Sequence, residues 1–315
     1  MTLLSLADLY AARDRIGDVA LRTPLLPAPW APGELLLKPE SLQPIGAFKL
    51  RGAYNMVAAL PPEVRARGVV THSSGNHAQA VAYAARAFGV PAVVVMPQAA
   101  APVKVAATRA LGAEVLLVAN AERESAALAV AAERGLTVVP PYDDPFVVAG
   151  QGTVGLEICE DAPDVRTVLV PVSGGGLLSG VAVAVAALCP GARVVGVEPE
   201  LAGDAAESFR RGERMVWSPE RTFRTLADGL RTTSVGVLPW EHIQALVADV
   251  VTVTEAEIRA AMRVLATRAR LVVEPSGAVA VAAYLGRGRP PAGRTVAVLS
   301  GGNVDPALLA EVLAG

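Results

Sequence analysis

The stretch TVLVPVSGGGLLSGVAVAVAALCPGA, residues 167–192, decides the fold, and it carries no charged side chain. Its length alone would suit a transmembrane helix, which needs about 20 apolar residues. The run SGGG at 173–176 divides it into a Val/Leu strand of six residues and a short Ala/Val helix. Neither piece is long enough to span a membrane. We therefore predict a buried strand, a tight turn and a buried helix, which together form one unit of an α/β core.

The same strand–helix unit recurs along the chain, and this order predicts doubly wound sheets of buried parallel strands. Predicted strands span residues 68–71, 92–96, 114–118, 137–139, 167–172, 193–197 and 295–299. Predicted helices include residues 77–88, 103–111, 122–134, 177–188 and 255–268. Three of these units fall between residues 68 and 145 and predict a small domain. Residues 1–67 plus 146–315 would then form a larger one.

Composition and charge exclude several classes of protein. Of 315 residues, 52% are hydrophobic and 18% charged, which rules out extended disorder. The formal net charge of −2 gives no reason to expect nucleic acid or a membrane surface as a partner. The Arg-rich stretch 210–231 lacks periodicity and is expected to be a solvated excursion.

The cysteines and the first residues indicate a compartment. Cys159 and Cys189 are the only cysteines and form no CxxC motif, which excludes a disulfide framework and indicates a reducing cytoplasm. The opening MTLLSLADLYAARDRIG lacks the basic segment of a signal peptide. It predicts instead a surface helix that is capped near Ser5.

Only three lysines occur, Lys38, Lys49 and Lys104, whereas the other 25 basic residues are arginine. Chemistry that needs a primary amine therefore has three candidates. Lys49 lies in PESLQPIGAFKLRGAYN, at the start of a predicted helix and beside uncharged neighbours. A lysine in apolar, partly dehydrated surroundings loses its charge readily, as a Schiff-base amine must. We expect Lys49 to be that amine; an ordinary lysine at a helix start is the alternative.

Four small-residue turns follow apolar strands, and in open α/β sheets such turns meet at one edge, where ligands bind. They are SSGNH at 73–77, SGGGL at 173–177, EPSG at 274–277 and SGGN at 300–303. The three glycines of SGGGL open backbone N–H groups to a phosphate at a helix start. The dinucleotide motif GxGxxG is incomplete, because Ser179 replaces its last glycine. Glu198 follows about 20 residues on, as a ribose-binding acid would, so a dinucleotide-binding protein stays an alternative.

Five motifs in order resemble one known family. FKLRGA around Lys49, SSGNHAQ at 73–79, AGQGT at 149–153, SGGGL and LSGGN at 299–303 resemble fold-type II pyridoxal-phosphate enzymes, in the branch of threonine/serine dehydratases and serine racemases. The resemblance implies an α/β fold with two doubly wound open-sheet domains of tryptophan synthase beta-like architecture. Pyridoxal 5'-phosphate (PLP) would lie in the cleft between them. The larger domain would bind it, and the small domain would lie on the substrate side.

The resemblance also implies which residues hold the cofactor. Lys49 would bind it covalently and move the substrate's α-proton, and Phe48 would flank its ring. Asn76 would hydrogen-bond its phenolic oxygen, and Ser300 its pyridine nitrogen. The phosphate would be held by the backbone N–H groups of Gly174, Gly175, Gly176 and Leu177, with Ser173 in place of the more usual glycine.

The implied substrate is an amino acid, and the turn that would receive its carboxylate comprises Ser73, Ser74, Asn76 and His77. The implied activity is that of a threonine dehydratase, which gives 2-oxobutanoate and ammonia and also converts L-serine to pyruvate. The neutral hydroxyl of Ser300 favours prompt loss of a β-hydroxyl over a long-lived carbanion. Serine racemase is the alternative, because the resemblance makes Ser74 the proton donor opposite Lys49. Ser74 also suits a simple helix cap.

A divalent cation, Mg or Ca, is the second implied ligand. Glu198, the carbonyl of Ala202 and Asp204 match the cation site of the racemase-like branch, and hard cations prefer such oxygen ligands. A solvated pair of acids is the simplest alternative. The resemblance further implies a homodimer or higher homo-oligomer. Because little sequence follows LSGGN, we expect no regulatory domain of the kind that biosynthetic threonine dehydratases carry.

Overall fold

The structure is a computed structural model, and it describes residues 3–73, 75–100, 102–286, 288 and 292–315. Its strands are β1 (Leu26–Pro27), β2 (Leu35–Pro39), β3 (Val69–His72), β4 (Ala92–Pro97), β5 (Glu114–Val118), β6 (Thr137–Val138), β7 (Thr167–Pro171), β8 (Arg193–Pro199), β9 (Asp249–Val253) and β10 (Thr295–Leu299). Its helices are α1 (Leu6–Ile16), α2 (Lys49–Ala59), α3 (Pro62–Arg65), α4 (Asn76–Phe88), α5 (Pro102–Ala110), α6 (Arg123–Arg134), α7 (Pro145–Asp161), α8 (Gly176–Leu188), α9 (Asp204–Arg211), α10 (Pro219–Thr222), α11 (Val237–Leu246), α12 (Glu255–Val264), α13 (Pro275–Gly286) and α14 (Pro306–Ala314).

The strands form two sheets. The larger has the order β1-β2-β10-β7-β8-β9, in which β1 is antiparallel to β2 and the other neighbours are parallel. The smaller has the order β5-β4-β3-β6 and is entirely parallel. The prediction of two doubly wound open sheets is therefore confirmed. The four strands of the smaller sheet lie within the predicted small domain, whose boundaries at 68 and 145 stay a prediction.

Residues 167–192 fold as predicted into β7, a glycine turn and α8. Every residue of β7 is buried, and so is the first part of α8. Helix α8 packs closely on α7. Gly180 permits this close approach, since a Cβ at that position would lie 2.5 Å from the backbone of α7. No helix within the described ranges is long and apolar enough to cross a membrane.

Helix α2 carries Lys49 as its first residue and packs against helices of both sheets. It contacts α4, which covers the smaller sheet, and α7, which lies on the larger one. Its Ala53 and Val57 belong to the same buried cluster as Val69 and Val94 of the smaller sheet. The predicted N-terminal helix is also present as α1, where Ser5 and Asp8 form a capping box.

Two features differ from the sequence-based expectations. The stretch 210–231 is not simply solvated, because Trp217, Thr222 and Ala227 are buried. Glu255 at the start of α12 fixes this stretch by accepting a hydrogen bond from the backbone N–H of Leu226 at 2.8 Å. The predicted helix 255–268 ends as α12 at Val264 and continues as a π-helical turn, Leu265–Ala269.

Candidate functional site

Lys49 is held at the carboxyl end of the larger sheet by the segment that precedes it. The backbone N–H of Phe48 donates to the carbonyl of Ser300 at 3.1 Å, and the N–H of Gly302 donates to the carbonyl of Gly46 at 2.8 Å. The ring of Phe48 lies 5.2 Å from the Lys49 Nζ atom. Phe48, Lys49 and Ser300, which the resemblance assigned to one cofactor, are therefore neighbours.

The three lysines have different partners. The Nζ atom of Lys38 is buried and donates to Glu157 Oε2 at 2.5 Å, and Lys104 forms an ion pair with Asp228. The Nζ atom of Lys49 donates to the carbonyl of Pro141 at 2.5 Å, and no ion pair forms between Lys49 and a carboxylate of the described residues. Burial lowers the pKa of Lys49 to about 8. A much larger fraction of this amine is thus neutral, and available as a nucleophile, near neutral pH than of an ordinary lysine.

The SGGGL turn lies beside this amine. Tyr142 follows Pro141, and its ring packs against Gly174. A Cβ on Gly174 would lie 2.2 Å from the nearest ring atom of Tyr142. Gly175 has a φ of +91°, which other residues rarely adopt. Ser173 exchanges a hydrogen bond with Thr232 at 2.7 Å. Residues 141–142 therefore contact both the amine and the turn, where the first N–H groups of α8 have no partners within the helix.

Asn76 connects the smaller sheet to the larger one. It is the first residue of α4, and its Nδ2 donates to Glu274 Oε1 at 2.7 Å. Its Oδ1 accepts from Asn303 Nδ2 at 2.8 Å. Since Glu274 and Asn303 belong to the EPSG and SGGN turns, three of the four predicted turns meet here. The expectation that EPSG follows a strand is wrong, because the π-helical turn Leu265–Ala269 and the irregular residues 270–274 precede it.

His77 is buried, and its Nε2 lies 3.0 Å from the carbonyl oxygen of Val139. Burial, with the charge of Lys49, lowers the pKa of His77 to about 3, so its ring is neutral at physiological pH. A carboxylate bound at this turn would therefore contact the backbone N–H groups at the start of α4 and not an imidazolium. Ser73 accepts from the N–H of Gly75 at 3.3 Å, whereas Ser74 lies outside the described residues.

Glu198 and Asp204 form a second cluster of acids. The side chain of Glu198 lies near the start of α9, whose first residue is Asp204. Glu198 and Asp204 are each only 1% exposed. Glu198 Oε1 accepts from the N–H of Ala206 at 2.8 Å, but Glu198 Oε2 and Asp204 Oδ2 have no partner within the described ranges. Burial raises the pKa of Asp204 to about 7, and burial with the charge of Asp204 raises the pKa of Glu198 well above its ordinary value. The alternative of a solvated pair of acids is wrong.

The protein side chains alone do not complete a metal site. Within the residues that the structure describes, no group of three or more His, Cys, Asp or Glu side chains could hold a metal ion. A cation at Glu198 and Asp204 would thus need carbonyl oxygens, such as that of the buried Ala202, and water.

Sequence reasoning missed four residues of the candidate site: Pro141, Tyr142, Glu274 and Asn303. The segment PPYDDP at 140–145 carried a turn signal but no chemical signal. The turns EPSG and SGGN pointed to the correct edge of the sheet. A buried acid within such a turn is the signal that could have singled out Glu274.

Comparison with known proteins agrees with this geometry. The sequence model of the family described as "Pyridoxal-phosphate dependent enzyme" matches residues 16–301. The L-threonine ammonia-lyase of Thermotoga maritima is 43% identical over 99% of this chain and 78% of its own length. Among solved structures, the threonine deaminase of T.th. is 45% identical, with a TM-score of 0.91 over 96% of this chain and 99% of that one. Maize serine racemase is 36% identical, with a TM-score of 0.92 over 99% of this chain and 98% of that one.

Proposed function

Because the chain belongs to the family of pyridoxal-phosphate dependent enzymes, we propose that it is an L-threonine ammonia-lyase. It would convert L-threonine to 2-oxobutanoate and ammonia, and L-serine to pyruvate and ammonia. The threonine ammonia-lyase and threonine deaminase relatives support this choice. The observation that carries it is Lys49, whose buried amine lacks a carboxylate partner among the described residues and lies beside a glycine turn.

The residues present fit PLP. The turn 174–177 offers an anion cradle at the start of α8, Lys49 offers an amine of lowered pKa, and Asn76 and Ser300 offer further polar groups. When bound, PLP supplies the electron sink that lets an α-proton and a β-hydroxyl leave an amino acid. Lys49 would move the α-proton, and the N–H groups at the start of α4 would orient the substrate carboxylate.

The test starts from the purified protein with added PLP. We expect an absorbance band near the edge of the visible range, borohydride reduction that attaches the cofactor to Lys49, and formation of 2-oxobutanoate from L-threonine. Lys49→Ala should abolish the band and the activity, since carboxylates already hold the amines of the other two lysines. Lys104→Arg is the matched control, because guanidinium keeps the ion pair with Asp228 and forms no Schiff base. A colourless protein that binds NAD would overturn the proposal.

Serine racemase is the second candidate, and the similarity to maize serine racemase favours it. Ser74 would then protonate the substrate on the face opposite Lys49. The measurement is D-serine formation from L-serine, with Ser74→Ala as the control. If the wild-type protein forms no D-serine, the racemase candidate is excluded and ammonia-lyase stays as the one proposed activity.

We also propose a Mg or Ca ion at Glu198, Ala202 and Asp204. Two buried carboxylate oxygens without partners in the described residues support it, because a bound cation would pair with them and favour the charged form that burial alone disfavours. Added Mg should raise the thermal midpoint of the wild-type protein and leave Glu198→Gln unchanged. Equal midpoints with Mg and with a chelator would count against the site.

The compartment and the assembly are proposals as well. The two buried free thiols suit a reducing cytoplasm, and we propose a homodimer or higher homo-oligomer there. The smaller sheet supports a small substrate-side domain at 68–145. Sedimentation analysis of the holoenzyme should give at least twice the monomer mass, and a monomer at all concentrations would contradict the assembly.

A further inference from the structure

A chain of hydrogen bonds with one fixed polarity ends at Asn76. It starts at the carbonyl of Ile45, which can only accept, so the group that donates to it at 2.8 Å must be the amide nitrogen of Asn303. The same Asn303 nitrogen donates to Asn76 at 2.8 Å, which fixes the accepting atom of Asn76 as its oxygen. The Asn76 nitrogen then donates to Glu274 at 2.7 Å. A backbone carbonyl thus dictates the orientation of both amides.

Among the residues that the structure describes, one side-chain N–H of Asn76 is left without a partner. An amide nitrogen has two N–H groups, and Glu274 uses one of them. We propose that Glu274 and Asn303 are positioning residues that set the orientation of the Asn76 amide, so that its remaining N–H faces the phenolic oxygen of the bound cofactor. This inference rests on the proposed function, because it gives the amide a cofactor to face.

Glu274 suits a positioning role because it cannot move freely. It is buried, its backbone N–H donates to the carbonyl of Gly301 at 3.0 Å, and a Cβ on Gly301 would lie 2.3 Å from Glu274 Oε1. Gly301 and Glu274 therefore fit against each other, and a side chain at 301 would displace the carboxyl group. The bond to Asn76 is thus made at a fixed point of the site.

The charge of Glu274 depends on its surroundings. Burial and the negative charge of Asp228 raise the pKa of Glu274 to about 7, while the hydrogen bond from Asn76 and the charge of Lys104 oppose this rise. As the pH falls through 7, the carboxylate gains a proton, and the bond from Asn76 loses its charge assistance. The orientation of Asn76 is therefore held most firmly above pH 7.

A swap of the two partners tests the proposal. In the double variant Glu274→Gln/Asn303→Asp, the amide introduced at position 274 can donate to the Asn76 oxygen, and the carboxylate introduced at position 303 can accept from the Asn76 nitrogen. Both hydrogen bonds and the net charge are then kept, but the Asn76 amide is reversed. Asn303→Leu is the matched control, because it loses the bond to Ile45, as the swap does, without reversing Asn76. The readouts are the dissociation constant of PLP, the position of the visible band and the thermal midpoint.

We expect the swap variant to bind PLP about tenfold more weakly than Asn303→Leu and to show a shifted band. The thermal midpoint reports separately the cost of setting a carboxylate beside the Ile45 carbonyl, since both groups only accept. A swap variant with the band and the PLP affinity of Asn303→Leu would overturn the proposal, since amide orientation would then be irrelevant to the cofactor.

A second measurement does not depend on the swap. The visible band of the wild-type holoenzyme should show an inflection near pH 7 as Glu274 titrates. Glu274→Gln keeps an acceptor for Asn76 but has no proton to lose, so its band should lack that inflection. An unchanged inflection would contradict the role of Glu274 even if the swap variant did not fold. The wild-type spectrum distinguishes failure of the proposed function from failure of the positioning role. A wild-type protein without a visible band refutes the proposed function. A normal wild-type band that no variant alters refutes only the positioning role of Glu274 and Asn303.

Discussion

Lys38 and Lys49 are both removed from water, yet their neighbours give them opposite chemistry. Lys38 is surrounded by Glu157 and Glu40, whose charges oppose the effect of burial and keep the ammonium form bound in place. Among the described residues Lys49 has only a carbonyl within hydrogen-bonding reach, so burial acts on its pKa without compensation. Residue type alone does not separate the two, and both were equal candidates by composition.

The lowered pKa of Lys49 predicts its reactivity in the protein without cofactor. An amine-specific acylating reagent should modify Lys49 with a half-maximal rate at about pH 8, below the ordinary lysine value of 10.5. Between these two values the unfolded chain binds more protons than the folded one, so the contribution of Lys49 to stability rises with pH across that window. Mass spectrometry of the labelled peptides checks the rate. A midpoint above pH 10 would contradict the burial of this amine.

We predict that replacing Arg51 causes the largest loss of stability from a single substitution. It is buried and donates to Glu40 Oε2 at 2.8 Å and to Glu157 Oε1 at 2.6 Å. Arg51→Met leaves these acids with too little positive charge, and the free energy of unfolding should fall by about 3–5 kcal/mol. Urea denaturation measures it. The matched control is Arg13→Ala at the exposed pair with Glu160, which should change stability by less than about 1 kcal/mol.

At the scale of elements, the connection from α12 to the EPSG turn is strained. The π-helical turn after α12 ends at Arg270, which has a φ of 60° and is the one described residue other than glycine in the left-handed region. Four residues later the chain reaches Glu274, so this turn determines where the buried carboxyl group enters the site. Such strain is common beside functional groups.

Glycine at position 270 should relieve that strain. We expect Arg270→Gly to raise the free energy of unfolding by about 0.5–1 kcal/mol, because glycine adopts a positive φ without a steric penalty. Arg268→Gly, two residues earlier and also exposed, should instead lower it by about 1 kcal/mol, since that residue is helical. Chemical denaturation of both variants decides the matter, and equal effects in the two would refute the strain.

The elements that sequence predicted are those whose pattern is local. Strand β7 and helix α8 form one uncharged run, and their bounds were predicted to within one residue. Strand β2 was missed because Lys38 interrupts its apolar pattern, and its burial depends on Glu157, 119 residues away. Strand β9 was missed because it lies at the edge of the sheet and is only partly buried. Most predicted cofactor and substrate residues likewise came from local motifs, namely the glycine turns and the segment around Lys49, whereas the contact of Glu274 with Asn76 crosses between the two sheets.

For the whole molecule, the candidate site joins the two sheets, so a ligand bound there should stabilise the entire fold. PLP at a hundredfold excess over its dissociation constant should add about 2.7 kcal/mol to the free energy of unfolding. Pyridoxal, which lacks the phosphate, should stabilise less at the same concentration, because it makes no contact with the turn 174–177. Thermal unfolding with each ligand is the measurement. Equal shifts with both would show that the glycine turn does not bind the phosphate.

The hydrogen bonds of Asn76 also have a consequence for the order of events during synthesis. Strands β3 and β4 are adjacent in the chain and in the sheet, so this region can fold soon after it is made. Asn76, however, can form its side-chain hydrogen bonds only after Glu274 and Asn303 have been made, and these follow 198 and 227 residues later. The ribosome has by then made at least the first 303 residues. A nascent chain that ends before Glu274 should therefore carry a folded smaller sheet but no competent cofactor site, so that PLP binds only after Asn303 has been made.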